Sequence, residues 1–151
     1  VTGSNGKTST VEMIAHILQE NNMKAGYNKE GSNQIEGVTT LVLRNTTLSG
    51  KVTCDALVIE SDERFARHTF KKIQPTFFVI TNLYRDQLTR NGHPEWVYDI
   101  IKEAIAPQTK LILNADDPLV SAFGYHRPKT VYFAMLENQY STSTSTSSAP
   151  S

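Results

Sequence analysis

The sequence predicts an α/β fold, a mostly parallel sheet flanked by helices, on three features. A glycine-rich loop, Gly3-Ser4-Asn5-Gly6-Lys7-Thr8-Ser9, opens directly into a helical pattern. The apolar runs Ala56-Leu57-Val58-Ile59, Phe77-Phe78-Val79-Ile80 and Leu111-Ile112-Leu113 read as strands covered on both faces. Between them lie stretches of helical periodicity, and strands alternating with helices imply right-handed parallel βαβ units.

The elements follow in order. Val11, Ile14, Ala15 and Leu18 recur at helical spacing after the loop, with Ile17 expected to widen the stripe. Asn21-Asn22 breaks that helix, and Met23 to Tyr27 is a short strand followed by the polar loop Asn28–Asn33. Val38 to Leu43 is rich in β-branched residues, and strand and helix both stay open there. The run from Ala56 ends in Glu60-Ser61-Asp62-Glu63, and Arg64 to Ile73 is helical up to Pro75. The strand from Phe77 ends in Thr81-Asn82, and a loop from Leu83 to Gly92 carries Arg85, Asp86, Gln87 and Arg90. Pro94 suits the first turn of a helix whose apolar face is Val97, Ile100, Ile101, Ala104 and Ile105. Asn114-Ala115-Asp116-Asp117-Pro118 caps a further short helix, and Val131 to Ala134 is the last strand.

A chain of 151 residues fits one domain that buries about two-thirds of its unfolded surface. Fifteen basic and fifteen acidic side chains cancel, so no overall field favours nucleic acid or an anionic membrane. Cys54 is the only cysteine, which excludes a disulfide framework and a cysteine-based zinc site. No apolar run approaches the roughly 20 residues of a membrane span, and the expected location is cytoplasmic. Only Val1 and Thr2 precede the glycine loop, so the first strand is expected to be truncated. The expected organisation is one nucleotide-binding domain over residues 1–136 and a disordered Ser/Thr-rich tail over 137–151.

The loop has the chemistry of a phosphate cradle. Gly3 and Gly6 let the backbone turn tightly, Ser4, Asn5 and Ser9 share the turn, and Lys7 adds a positive charge. Thr8 supplies a hydroxyl for a magnesium ion on nucleotide phosphates, and the helix offers its positive end to them. Two residues separate Gly3 from Gly6, where the usual P-loop has four. Glu60 stands at a strand end, as a second magnesium ligand beside Thr8 or as a solvated acid. Asn82 and Asp86 suit phosphates, water or a second metal, and Asn114, Asp116 and Asp117 suit the adenosine. Asp62 and Glu63 read as acids at a helix start. All these groups follow the carboxyl ends of strands, where open α/β sheets bind ligands.

Thr2-Gly3-Ser4-Asn5-Gly6-Lys7-Thr8-Ser9 resembles the ATP loop of the Mur ligase central domain, shared by cell-wall amino-acid ligases and folylpolyglutamate synthase. Asn28 to Gly37, Glu60-Ser61-Asp62-Glu63 and Thr81 to Leu88 resemble the MurT branch, and Gln87 stands where amino-acid-adding Mur ligases carry a metal-binding His. The resemblance implies ATP and Mg2+ as cofactors, with Lys7, Glu60 and Asp86 catalytic, Thr8 and Glu60 on the metal, and Arg85 and Asn82 among the nucleotide contacts. It implies transfer of the γ-phosphate to the D-glutamate carboxylate of the lipid II stem peptide. Ammonia from a GatD-like glutamine amidotransferase partner would then attack the acyl-phosphate. Two alternatives remain: an amino-acid-adding Mur or folylpolyglutamate-type ligase, and a nucleotide-binding fragment inactive on its own. Lys102, sixteen residues after Asp86, has a spacing similar to the lysine that amino-acid-adding ligases carbamylate, but a solvated lysine on the polar side of the helix, between Ile101 and Glu103, is the expected reading.

Overall fold

The computed structural model describes residues 1–28, 33–84 and 94–136. In chain order its elements are α1 (Lys7–Glu20), β1 (Ala25–Tyr27), α2 (Ile35–Arg44), β2 (Ala56–Val58), α3 (Ala66–Lys72), β3 (Phe77–Ile80), α4 (Pro94–Ala104), β4 (Lys110–Asn114), α5 (Pro118–Ala122) and β5 (Thr130–Phe133). Among the described residues the named strands all pair in parallel, and one isolated antiparallel bridge joins Thr46 to Val52. β1 pairs with β2, Gly26 opposite Leu57, and β3, β4 and β5 pair in that order, Val79 opposite Ile112 and Ile112 opposite Val131.

Val1 and Thr2 join the two sheets. The amino group of Val1 donates to Ile59 O at 2.8 Å, and Ser61 N donates to Val1 O at 3.0 Å. On the other side Thr2 N donates to Val79 O at 2.9 Å, and Thr81 N donates to Thr2 O at 3.1 Å. Thr2 is fully buried, and its hydroxyl donates to Ser61 O at 2.8 Å. These two residues therefore run as a parallel strand stub between the chain beyond β2 and β3. Next to Val1, a cavity of about 430 Å³ lies between β2 and β3, lined by Leu57, Ile59, Phe70, Phe77 and Phe78.

Two apolar clusters flank the sheet. Phe78, Ile80, Leu111 and Leu113 pack against Ala66 and Phe70 of α3, Val97, Ile101 and Ala104 of α4, and Val120 of α5. Phe70 meets Phe78 edge-on at 5.3 Å. Val11 and Ala15 of α1 pack on Val58, with Ile14, Leu18 and Tyr27 around them. Ile17 does not widen this stripe: it is 57 % exposed, because two residues past Ala15 the helix has turned by about 200°.

Residues 38–43 lie in α2, which settles the open choice for a helix. Val38 and Leu41, three apart, are the buried pair, and the hydroxyls of Thr39 and Thr40 donate to Ile35 O and Glu36 O at 2.7 and 2.8 Å. One-sided burial outweighs β-branched propensity, and the threonines satisfy their hydroxyls on their own helix.

Asp117 caps α5 as expected, accepting from Leu119 N and Val120 N at 3.0 and 3.1 Å. Its other oxygen accepts from Leu83 N at 2.7 Å, which ties the chain after β3 to the chain after β4. Asp117→Ala removes the cap and leaves a buried amide unpaired, so denaturant titration should show a loss of about 2–3 kcal/mol, of which Asp117→Asn recovers only the cap, because its amide nitrogen cannot accept from Leu83 N. Four alternating β-branched residues placed ahead of Val1 should fill the cavity between β2 and β3 and raise stability on the order of 2 kcal/mol, roughly 4–8 °C by calorimetry. A Gly/Asp-rich extension of equal length should leave the midpoint unchanged.

Candidate nucleotide site at the carboxyl edge of the sheet

The glycine loop leaves the Val1–Thr2 stub at the carboxyl edge and is lashed to the chain after β3. Ser4 N donates to Asn82 O at 2.9 Å and Asn5 N to Asn82 Oδ1 at 2.8 Å, while Asn82 Nδ2 donates back to Asn5 O at 3.1 Å. Thr81 Oγ1 donates to Asn5 O at 2.9 Å, and Tyr84 N donates to the Ser4 hydroxyl at 3.0 Å. Gly3, at φ 138°, has no room for a side chain, since a Cβ would fall 2.2 Å from Thr81 Oγ1. Gly6 precedes α1 in the left-handed region at φ 77° and faces open space. No side chain caps α1, and the first helical bond runs from Thr10 N to Gly6 O. The amides of Gly6, Lys7, Thr8 and Ser9 thus lack intrahelical partners and present the positive end of the helix to the loop's concave side.

Opposite them stands Glu60, just beyond β2 and 2 % exposed. The Thr8 hydroxyl donates to Glu60 Oε2 at 2.8 Å, and Asn33 Nδ2 donates to Oε1 at 3.1 Å. A cavity of about 340 Å³ is bounded by residues 4–9 together with Asn33 and Glu60. Lys7 is held inside this frame: its Nζ donates to Gly3 O at 2.6 Å and Ser4 O at 3.4 Å, and lies 3.5 Å from Glu63 Oε2.

Glu63 and Asp62 are not acids in a helix's first turn, because α3 begins at Ala66 and holds no acid there. Glu63 is buried and serves as counter-ion to Lys7. Asp62 pairs with Arg64 at 2.7 Å. Burial acts to raise the Asp62 carboxyl, but the hydrogen bonds and charge of Arg64 outweigh it and hold the group below its ordinary value.

The remaining candidates share this edge as braces. Asn82 clamps the loop, Asn114 Nδ2 donates to Thr81 O at 2.9 Å, and Asp116 accepts from Met135 N at 2.8 Å. None of the three lines the cradle cavity. Arg85, Asp86 and Gln87 lie outside the described residues. Lys102 is exposed on α4, its ammonium 5.9 Å from the Tyr98 ring centre. Asn28, Asn33, Thr81 and Glu63 matter more to the site than the sequence indicated; the trace they leave is polar residues directly after β1, β2 and β3.

The donor set fits magnesium. A hydroxyl and a carboxylate are hard oxygen ligands of the kind this ion takes, and Thr8 Oγ1 and Glu60 Oε2 stand side by side, so these two residues would hold it. Among the described residues no three His, Cys, Asp or Glu side chains converge. Mg2+ on nucleotide phosphates needs only one or two protein ligands.

The family profile of the Mur ligase middle domain matches residues 1–149. The lipid II isoglutaminyl synthase subunit MurT of Staphylococcus aureus strain COL is 37 % identical over 136 residues, covering 89 % of this chain and 30 % of that protein. MurT of Streptococcus pneumoniae R6 is 40 % identical over 121 residues, covering 79 % and 27 %. The chain thus spans less than a third of the curated relatives it matches. Among solved structures, a pseudomurein peptide ligase type C from Methanothermus fervidus superposes with a TM-score of 0.65 at 33 % identity, over 87 % of this chain and 25 % of that one. MurF from Acinetobacter baumannii, at 22 % identity and a TM-score of 0.67 over 88 % and 29 %, shares the fold. The chain belongs to the Mur ligase family, and residues 1–149 correspond to its middle domain.

Proposed function

We propose that this chain is the ATP-binding core of a MurT-like amidating ligase working in the cytoplasm. The observation that carries the nucleotide site is the Thr8 hydroxyl 2.8 Å from the buried Glu60 carboxylate, facing the unpaired amides of α1 across the cradle. The amidating reaction is supported by the MurT relatives, named as subunits of a glutamine-hydrolysing lipid II isoglutaminyl synthase, and by Gln87 in the loop after β3.

Bound Mg-ATP supplies the phosphoryl group that activates the D-glutamate carboxylate of the stem peptide for ammonia delivered by a glutaminase partner. The chain's own contribution is positioning and charge. Amides 6–9 and the α1 dipole hold phosphate oxygens, and Lys7 exchanges Gly3 O and Glu63 for the β- and γ-phosphates. Thr8 and Glu60 hold the cation, and the Asn82 clamp keeps the loop in register while charge moves. Arg85 and Asp86 are assigned to the transferring phosphoryl group and the carboxylate, and Asn114 and Asp116 to the nucleoside side of the edge. The middle domain alone binds nucleotide without ligating, since a reaction on two further substrates needs surfaces beyond this span of the family's length.

Mg-ATP at a hundred times its dissociation constant should raise stability by about 2.7 kcal/mol, or roughly 5–11 °C in thermal unfolding. Lys7→Ala should abolish the shift. It also removes the ion pair to the buried Glu63 carboxylate, so it should cost on the order of 1 kcal/mol without ligand. A full-length protein assayed with its glutaminase should yield one amidated lipid II per ATP hydrolysed. Amino-acid addition instead of amidation would overturn the MurT reading and leave the nucleotide site standing.

A further inference from the structure

We infer that Asn28 is a positioning residue for the cation site, fixing Glu60 through its main chain. β1 stops at Tyr27 and β2 at Val58, so the strand pairing ends two residues short of Glu60. The side chain of Asn28 continues it. Its Nδ2 donates to Glu60 O at 2.9 Å and its Oδ1 accepts from Glu60 N at 2.7 Å, with Asn28 5 % and Glu60 2 % exposed.

One side-chain amide thus satisfies both backbone groups of a single residue, as a neighbouring strand would. On the opposite side Val1 holds Ile59 O and Ser61 N. The Glu60 backbone is gripped from both flanks, and its carboxylate points to Thr8 and Asn33. Only an amide of this length presents a donor and an acceptor at that reach. Asp would set an oxygen against Glu60 O, and Leu would leave two buried backbone groups unpaired. The inference rests on the reading that Thr8 and Glu60 hold the cation. It adds that the strength of that hold is set from outside the ligand pair, as outer partners of metal ligands do.

The test uses Mn2+ as a paramagnetic probe, titrated by EPR against this chain with ADP, beside ADP affinity in EDTA and thermal unfolding. In Asn28→Leu and Asn28→Asp, Mn2+ affinity should fall about 10- to 100-fold while metal-free ADP affinity stays within about threefold. Unchanged Mn2+ affinity in a folded variant overturns the inference. Equal loss of both affinities, through unfolding included, also overturns it, because Asn28 would then be a structural residue. If wild-type protein binds ADP but no Mn2+ with it, the cation site itself fails, and the inference fails with it. If wild type binds neither, the nucleotide reading is the one that falls.

Discussion

The structure depends on the parallel pairing of two residues. Val1 and Thr2 form backbone hydrogen bonds to the chain beyond β2 on one side and to β3 on the other. Without them the two- and three-stranded sheets share no ladder. The same two residues deliver Gly3 to the carboxyl edge, so one set of hydrogen bonds both joins the sheets and places the glycine loop. Parallel strands suit this because all their carboxyl ends face one way. Glu60, Thr81 and Asn114 reach a common edge from three different strands, and each then bonds a neighbour from another segment.

At that edge polar side chains do the work that ladders do inside the sheet. Asn28 pairs with Glu60, Asn82 with Asn5, Asn114 with Thr81 and Asp117 with Leu83. Side-chain amides and carboxylates bond backbone without requiring the chain to stay extended. Each loop can therefore turn away while its base stays fixed. The cradle is held in shape before any ligand arrives, which lowers the ordering that binding must supply.

Much of this was legible in the residue order. Apolar runs bounded by polar groups located β2, β3 and β4, and the five-residue face Val97–Ile105 is buried throughout. A glycine turn opening a helix and an acid at a strand end are local features, and the pairing of Thr8 with Glu60 joins the two. The helix α2 was not, since β-branched residues favour strands until burial on one side decides. Glu63 was misread as a helix-start acid, and the role of Asn28 was invisible. Their partners Lys7 and Glu60 lie 56 and 32 residues away along the chain, and no local pattern encodes such a meeting.

Lys7 shares its site with two buried carboxylates, Glu60 and Glu63. Yet the ammonium is spent on Glu63 and two loop carbonyls, while the Glu60 carboxylate is met by neutral donors, the Thr8 hydroxyl and the Asn33 amide. A buried carboxylate answered only by dipoles at hydrogen-bond range is one whose charge a cation could still satisfy.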